Sequence, residues 1–178
     1  CDLDENRLKH MRSLYPSIKT TNELDQIIND KDLDAVAIAT PVKFHFQMAN
    51  KCLDAGKHVF IEKPMASSVN ECRQLITNAE RNNLIIMVGH TFIYSPPVRK
   101  IKEIIDHGSL GKIQYISARR LNLGLFQTDI NVTWDLAPHD ISIILYVLGK
   151  APISVNCQGK PHANPDIEDV TSMTLNFA

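Results

Sequence analysis

The sequence lacks most of the features that mark a metal-binding, nucleic-acid-binding or membrane-spanning chain. Its four cysteines are scattered over 178 residues without a Cys-x-x-Cys pair, so neither a zinc ribbon nor a thioredoxin-like redox motif is expected. The 19 lysines and arginines nearly balance the 20 aspartates and glutamates, and the net charge of −1 favours no polyanionic partner such as nucleic acid. No apolar run approaches the ~20 residues of a membrane span. Scattered cysteines are typical of reduced thiols that fill core space, and we therefore predict a cytoplasmic globular protein.

Hydrophobic periodicity in the first half predicts strands that alternate with helices. Three short apolar runs indicate buried strands at 35–39, 59–61 and 84–88. Helices are predicted at 5–14 with Asp4 as its cap, within 21–30 opened by Thr21 or Asn22, at 43–55, and at 68–82. This alternation predicts an α/β fold with a doubly wound, Rossmann-type parallel sheet.

The pattern changes after residue 94. We predict a helix from 96 to about 107, a half-exposed strand at 112–120, an apolar helix at 136–148, and strands at 153–159 and 170–177. These elements indicate a second, α+β domain with an open, largely antiparallel sheet. The predicted domains are 1–94 and 95–178.

Glycine is scarce where a dinucleotide-binding fold needs it. The sequence has seven glycines and no G-x-G-x-x-G fingerprint. It begins with Cys1 rather than methionine, and its last predicted strand would leave an open sheet edge. We therefore expect a fragment, with the first strand and glycine loop upstream and the last strands of the second sheet downstream.

The strand at 59–61 delivers three functional residue types, Glu62, Lys63 and Pro64, to its end. Ligands of open parallel sheets lie beyond the carboxyl ends of the strands. Pro64 restricts the backbone of Lys63 to extended conformations. This placement of Lys63 suits proton transfer or substrate positioning.

Polar residues also follow two other strands. Asp2 lies where a further strand would have ended, at the position of the acid that bonds ribose hydroxyls and disfavours a 2′-phosphate. The alternative is a solvated loop carboxylate. Thr40 and Pro41 end the strand at 35–39 and could line a nicotinamide or a ribose, or simply form a turn.

A second set of polar residues precedes the apolar helix of the second half. Asp135 and His139 are four positions apart, which places them on one helix face. Pro138 is tolerated in a first turn, so we expect both residues near a helix N-terminus, where the dipole favours a neutral imidazole. A neutral His139 could act as a general base with Asp135 orienting it, although a helix cap plus a core histidine would give the same pattern. No third metal ligand is evident, so no metal is predicted.

Several of these residues form one ordered series: Ala37 to Pro41, then His45, then Cys52 to Val59, then Glu62 to Pro64. The series resembles the Gfo/Idh/MocA oxidoreductases, and the likeness runs from Asp2 nearly to the last residue. The resemblance implies an NAD(P)-binding Rossmann domain followed by an α/β domain with a large open sheet. It implies that Glu62 and Lys63 border the nicotinamide and that the peptide before Pro64 is often cis. The cofactor-binding residues would then be Asp2, Thr40, Pro41, His45, Glu62, Lys63 and Pro64.

The same resemblance gives roles to the second half. The family's acid/base histidine maps onto His139 and the aspartate before it onto Asp135. The run Arg-Leu-Asn-Leu-Gly at 120–124, followed by Trp-Asp-Leu-Ala-Pro-His-Asp from 134, is similar to a branch that acts on nucleotide sugars. The implied substrate-binding residues are Lys63, Tyr94, Arg120, Asn122, Trp134 and His139, with His90 as a further candidate. For Arg119 and Arg120 a solvated strand face is the alternative.

The resemblance implies hydride transfer between a sugar secondary alcohol and a nicotinamide, with NAD favoured over NADP. Lys63 and His139 are expected to act at the same carbon, His139 as base and Lys63 as donor to the substrate oxygen. The favoured substrate is a UDP-N-acetylhexosamine or its uronate, oxidised at C3. A polyol or inositol substrate, or a non-catalytic dinucleotide-binding regulator, are the alternatives. Family members commonly pair through the C-terminal sheet, which implies a homo-oligomer.

Overall fold

The computed structural model describes residues 1–121, 126, 128 and 130–178. The chain separates into two units, Cys1–Val88 and Gly89–Ala178. The domain boundary predicted after residue 94 stays a prediction.

The first unit is built on a three-stranded parallel sheet. Its strands are β1 (Ala35–Ile38), β2 (His58–Ile61) and β3 (Ile86–Val88), in the order β1-β2-β3. Ile38 pairs with Ile61, and Ile61 pairs with Val88. Parallel neighbours need a crossover between them, which the intervening helices supply.

Four helices belong to the first unit: α1 (Glu5–Leu14), α2 (Leu24–Asn29), α3 (His45–Asp54) and α4 (Val69–Arg81). A short 3-10 turn, Val42–Phe44, leads into α3. Helices α3 and α4 bury their apolar faces against the sheet, and Leu53 and Leu75 become fully buried beside Ile61. Burial of such side chains contributes roughly 1.5–3 kcal/mol each.

A side-chain cap marks the start of α1 but not that of α2. The carboxylate of Asp4 accepts a hydrogen bond from the Asn6 amide, as predicted for α1. The predicted cap of α2 is wrong: that helix begins at Leu24 after Glu23. Thr21 does not cap it, because its hydroxyl instead accepts from the Glu23 amide in a local turn.

The described residues of the second unit form a 3-10 turn (Thr91–Tyr94), two helices and one antiparallel pair of strands. The helices are α5 (Pro96–Asp106) and α6 (Val132–Leu148), and the strands are β4 (Ser154–Lys160) and β5 (Val170–Asn176). Cys157 pairs with Met173 across the two strands. The predicted α/β class, with a parallel Rossmann-type sheet followed by an antiparallel one, is confirmed.

The strand predicted at 112–120 is wrong. The described structure gives these residues no strand, and most of them are exposed. Alternating polarity favours a strand only where a neighbouring strand supplies ladder hydrogen bonds, and none does so in the described residues. The segment therefore follows α5 as irregular chain.

Helix α6 begins earlier than predicted. The side chain of Asn131 accepts a hydrogen bond from the Trp134 amide, which caps the helix so that it starts at Val132 rather than Leu136. Pro138 consequently lies inside the helix rather than in its first turn. Gly149, at φ 62°, ends the helix in the left-handed conformation that glycine adopts without strain.

Among the residues that the structure describes, no helix is long and apolar enough to cross a membrane.

Candidate functional site

The carboxyl ends of β1 and β2 bring together predicted residues of the first unit. Because Ile38 pairs with Ile61, Thr40 and Lys63 each lie two residues beyond a paired position. The Glu62 amide donates to the Ile38 carbonyl over 2.9 Å, which extends the pairing by one residue. The sheet thus fixes Thr40, Glu62 and Lys63 at neighbouring strand ends, where open parallel sheets bind ligands.

His45 joins these two strand ends. Its ring is 1% exposed, with Nε2 2.7 Å from the Thr40 carbonyl oxygen and Nδ1 2.8 Å from the Pro64 carbonyl oxygen. A neutral ring donates to one of these carbonyls, and a protonated ring donates to both. With both nitrogens facing backbone oxygens, the contacts of His45 fit a positioning role beneath the strand ends. Its predicted cofactor-binding role stays a prediction.

Glu62 and Lys63 are both half-buried at the end of β2. The Lys63 amide donates to the Glu62 carboxylate over 3.3 Å. The peptide between Lys63 and Pro64 is cis, as the resemblance implied.

Asp2 lies in the segment before α1, and its pKa is lowered. The main cause is the Asp4 amide, which donates to Asp2 Oδ1 over 2.9 Å; Arg7, with Nη1 3.4 Å from Oδ2, adds to the effect. Both contacts stabilise the charged form. Asp2 is therefore a carboxylate at neutral pH, as a ribose-binding acid must be.

In the second unit, Asp135 lies in the first turn of α6, next to Trp134, which is 36% exposed. Glu168 fixes this end of the helix, since its backbone carbonyl accepts from the Val132 amide and its carboxylate accepts from the Asn131 side chain over 3.3 Å. An acidic residue in the first turn interacts favourably with the helix dipole.

His139 lies further into α6 than predicted. It is the eighth residue of the helix, and the dipole acts mainly within the first turn, so the predicted dipole effect on its imidazole does not hold. Its surroundings are instead aromatic: the Phe92 ring meets it edge-to-face, with centroids 4.8 Å apart and planes at 81°. Its role as acid/base stays a prediction.

Arg120 is paired with a carboxylate in the described structure. Its Nε and Nη2 donate to the two carboxylate oxygens of Asp140 over 2.9 and 3.0 Å. Its guanidinium also lies over the Phe92 ring, 5.3 Å from the centroid. The prediction of Arg120 as a substrate ligand did not anticipate its contacts with Asp140 and Phe92.

Other predicted substrate residues have different settings. Tyr94 is exposed, and the guanidinium carbon of Arg99 lies 5.6 Å from the centroid of the Tyr94 ring. Asn122 lies outside the described residues. His90 has a buried Nδ1 that meets no hydrogen-bond partner among the described residues, and burial lowers its pKa.

Sequence reasoning missed a buried cation in the first unit. Lys57 is 4% exposed, and its ammonium donates to the backbone carbonyls of Asp30 and Leu33 over 2.6 and 2.9 Å. The only available signal was its place in the Ala-Gly-Lys-His series, which the family resemblance explains equally well. Lys57 stabilises the turn that leads into β1.

The fold and the residues at its strand ends define an NAD-binding Rossmann unit followed by a second unit with an antiparallel sheet. The chain belongs to the GFO/IDH/MocA family: residues 1–90 match its "Oxidoreductase family, NAD-binding Rossmann fold" model, and residues 98–178 match its C-terminal domain model. The family resemblance seen in the sequence is thereby confirmed.

Curated relatives have several activities in their names. The chain is 26% identical to the uncharacterized oxidoreductase YrbE of Bacillus subtilis, over 99% of this chain and 54% of that protein. It is 31% identical to a UDP-N-acetylglucosamine 3-dehydrogenase of Acidithiobacillus ferrooxidans, over 82% of this chain and 46% of that one. It is 24% identical to the scyllo-inositol 2-dehydrogenase (NADP(+)) IolW of Bacillus subtilis, over 97% and 51%.

Solved structures agree with the fold. The structure of yvaA from Bacillus subtilis superposes with a TM-score of 0.87 at 27% identity, covering 97% of this chain and 52% of that one. The chain spans about half the length of the curated relatives it matches.

The residues present fit a dinucleotide cofactor. Asp2 offers a charged carboxylate for ribose hydroxyls, and Thr40 and Lys63 lie at adjacent strand ends where a ring could bind. His45 holds the backbone of both strand ends in place. The given sequence contains no G-x-G-x-x-G fingerprint.

Proposed function

We propose that this chain provides nicotinamide-binding and proton-transfer residues of an NAD-dependent dehydrogenase that oxidises a secondary alcohol of a sugar. The observation that supports this most directly is the grouping of Thr40, Glu62 and Lys63 at the ends of paired parallel strands, in a chain of this oxidoreductase family. Such an edge is where open α/β sheets bind their ligands.

The cofactor, when bound, supplies the redox chemistry of hydride transfer. Asp2 would hold its ribose. Thr40, Pro41, Glu62, Lys63 and Pro64 would line the nicotinamide end. His45 would support them from below through the Thr40 and Pro64 carbonyls.

The chain's own residues handle the proton. His139 takes the hydroxyl proton of the substrate, and Asp135, one helical turn earlier in α6, positions it. Lys63 donates a hydrogen bond to the same substrate oxygen. An ammonium near that oxygen favours the developing alkoxide, so it lowers the barrier to proton removal.

The charge on Asp2 favours NAD over NADP, because a carboxylate at the ribose repels a 2′-phosphate. One observation favours the alternative: Arg7 lies 3.4 Å from Asp2, and an arginine at this place can accommodate a 2′-phosphate. We expect NAD to bind at least ~10-fold more tightly than NADP, about 1.4 kcal/mol.

Replacing Asp2 tests that preference. In Asp2→Ser the repulsive charge is gone and Arg7 remains, so NADP should gain affinity while NAD loses it. Isothermal titration of both cofactors into the full-length protein measures the ratio, and Asp25→Ser, an exposed acid in α2, serves as the matched control. An unchanged ratio in Asp2→Ser would remove Asp2 from the cofactor site.

A UDP-N-acetylhexosamine, or its uronate, oxidised at C3 is the proposed substrate. The relative named UDP-N-acetylglucosamine 3-dehydrogenase, at 31% identity, supports it. Relatives named as inositol dehydrogenases support a polyol as the second candidate. A panel of UDP-sugars, inositols and simple sugars, followed by NADH fluorescence with the full-length protein, distinguishes them. If none of these alcohols produces NADH fluorescence, the result would favour a non-catalytic dinucleotide-binding regulator.

Two substitutions test the catalytic assignment. Lys63→Met and His139→Gln should each lower kcat by ~10²–10⁴-fold, the usual contribution of a positioned acid or base. The NAD dissociation constant should stay near its wild-type value, because neither residue is needed to hold the ribose. Lys51→Met and His10→Gln, both exposed, are the controls. Near-normal kcat in either active-site variant would refute the role of that residue.

A further inference from the structure

We propose that Arg120 is a positioning residue for His139, rather than a ligand of the substrate, and that it acts through Asp140 and Phe92. For its effect on catalysis this inference rests on the proposed role of His139 as a base. The contacts themselves do not depend on that role.

The guanidinium of Arg120 is fixed by its pair with the carboxylate of Asp140. Arg120 donates from Nε and Nη2 to the two oxygens of Asp140 over 2.9 and 3.0 Å, which is bidentate geometry. The two side chains are 30% and 28% exposed, so the pair is largely shielded from water. A bidentate arginine–carboxylate pair sets both the position and the plane of the guanidinium, which a lysine cannot do.

The guanidinium of Arg120 also contacts the aromatic ring of Phe92. The Arg120 guanidinium carbon is 5.3 Å from the Phe92 ring centroid, within the range of a cation–π contact. Phe92 is 40% exposed and lies in the 3-10 turn Thr91–Tyr94. Arg120 covers the ring and holds it in one orientation.

The Phe92 ring in turn contacts His139 in helix α6. The Phe92 ring meets the His139 imidazole edge-to-face at 4.8 Å and 81°. Asp140 follows His139 directly in α6. The contacts therefore form a closed ring that runs from Asp140 to Arg120, to Phe92, to His139, and back along the helix backbone. Closure of this ring limits the side-chain rotation of His139 to the orientation that Phe92 permits.

This arrangement supplies orientation with little added charge. The carboxylate of Asp140 offsets the guanidinium, so the pair brings almost no net charge toward the imidazole. A reaction that needs His139 at one angle gains from the restriction, because a small misplacement of a catalytic group costs rate. We call the linked contacts of Asp140, Arg120 and Phe92 the brace. Losing the brace is therefore expected to affect kcat more than KM.

Nuclear magnetic resonance of the His139 ring tests the brace without turnover. In Arg120→Met and Phe92→Leu the His139 Cε1–H resonance should move and broaden, because the aromatic neighbour is displaced or removed. Arg119→Met, an exposed neighbour in the sequence, is the matched control and should leave the resonance in place. A His139 resonance that is the same in Arg120→Met as in Arg119→Met would overturn the proposal.

Kinetics of the full-length protein give the second readout. Arg120→Met should lower kcat by about 10-fold or more with KM for the alcohol within ~3-fold of wild type, and Arg120→Lys should fail to rescue it because an ammonium lacks the planar fork that fixes the orientation of the pair. Phe92→Tyr, which keeps the ring, should restore what Phe92→Leu loses. A rise in KM with unchanged kcat would identify Arg120 as a substrate ligand and overturn the proposal. If the His139 resonance responds while the wild type oxidises no alcohol, the brace is supported and only the proposed reaction fails.

Discussion

At the scale of single residues, the described structure separates histidines by their partners. His45 is buried and faces two backbone carbonyls, whereas His58 accepts from the Ile85 amide and His162 pairs with Asp169. His90 differs from these three because its buried Nδ1 has no hydrogen-bond partner in the described part of the chain. The sequence alone does not reveal these partners, which lie between 5 and 27 positions away along the chain.

The setting of His90 predicts a pH dependence of stability. Burial lowers its pKa in the folded state below the ordinary value near 6.5, so the unfolded chain binds the proton more readily. Between the lowered value and about 6.5 the unfolded state holds more protons, and the free energy of unfolding therefore falls as pH falls through that window.

Urea unfolding at a series of pH values checks this expectation. The loss of stability between about pH 7 and pH 5.5 should be smaller in His90→Gln than in wild type, and unchanged in His10→Gln, whose histidine is exposed. Carboxylates with lowered pKa, such as Asp2 and Asp169, contribute in a more acidic range. Equal slopes for wild type and His90→Gln would contradict the assignment.

At the scale of elements, the first unit depends on one tie between strand ends. His45 opens α3, yet its ring reaches the Thr40 carbonyl after β1 and the Pro64 carbonyl after β2. Hydrogen bonds between parallel strands stop where the strands end, so backbone groups beyond them need other partners. The imidazole lies between the two carbonyls, and its neutral form donates a hydrogen bond to one of them.

Replacing that imidazole should destabilise the protein markedly. His45→Ala removes the ring donor that lies between these two carbonyls and opens a cavity, at an expected cost of roughly 2–4 kcal/mol. His45→Gln, which keeps one amide donor, should recover part of the loss. Chemical unfolding measures both, with His10→Ala as the exposed control. A loss below about 0.5 kcal/mol in His45→Ala would show that the tie is dispensable.

The elements also show how far local sequence signals reach. The cap at Asp4 was readable because it acts on backbone groups within a few residues. The strand predicted at 112–120 failed because a strand needs a neighbour, which local alternation does not reveal. The start of α6 was missed because Asn131 lies in a polar stretch where several residues could cap a helix.

At the scale of the whole molecule, the order of elements was the most predictable property. Apolar runs bounded by turn residues gave β1, β2 and β3 and the helices between them, and the family match confirms the fold. The site was only partly predictable. Strand ends at Thr40 and Lys63 followed from the sheet alone, whereas the pairing of Arg120 with Asp140 and the burial of Lys57 depend on contacts across many residues. Cytoplasmic location and assembly through the C-terminal sheet stay predictions.

The central claim is that Lys63 and His139 serve one proton-transfer event in the oxidation of an alcohol. A double-mutant cycle on kcat of the full-length protein, using Lys63→Met, His139→Gln and their combination, tests it most directly. Residues that act as a unit give strongly non-additive losses, so the double variant should be little slower than the slower single variant. Losses that multiply, or a single variant that keeps near-normal kcat, would contradict the account.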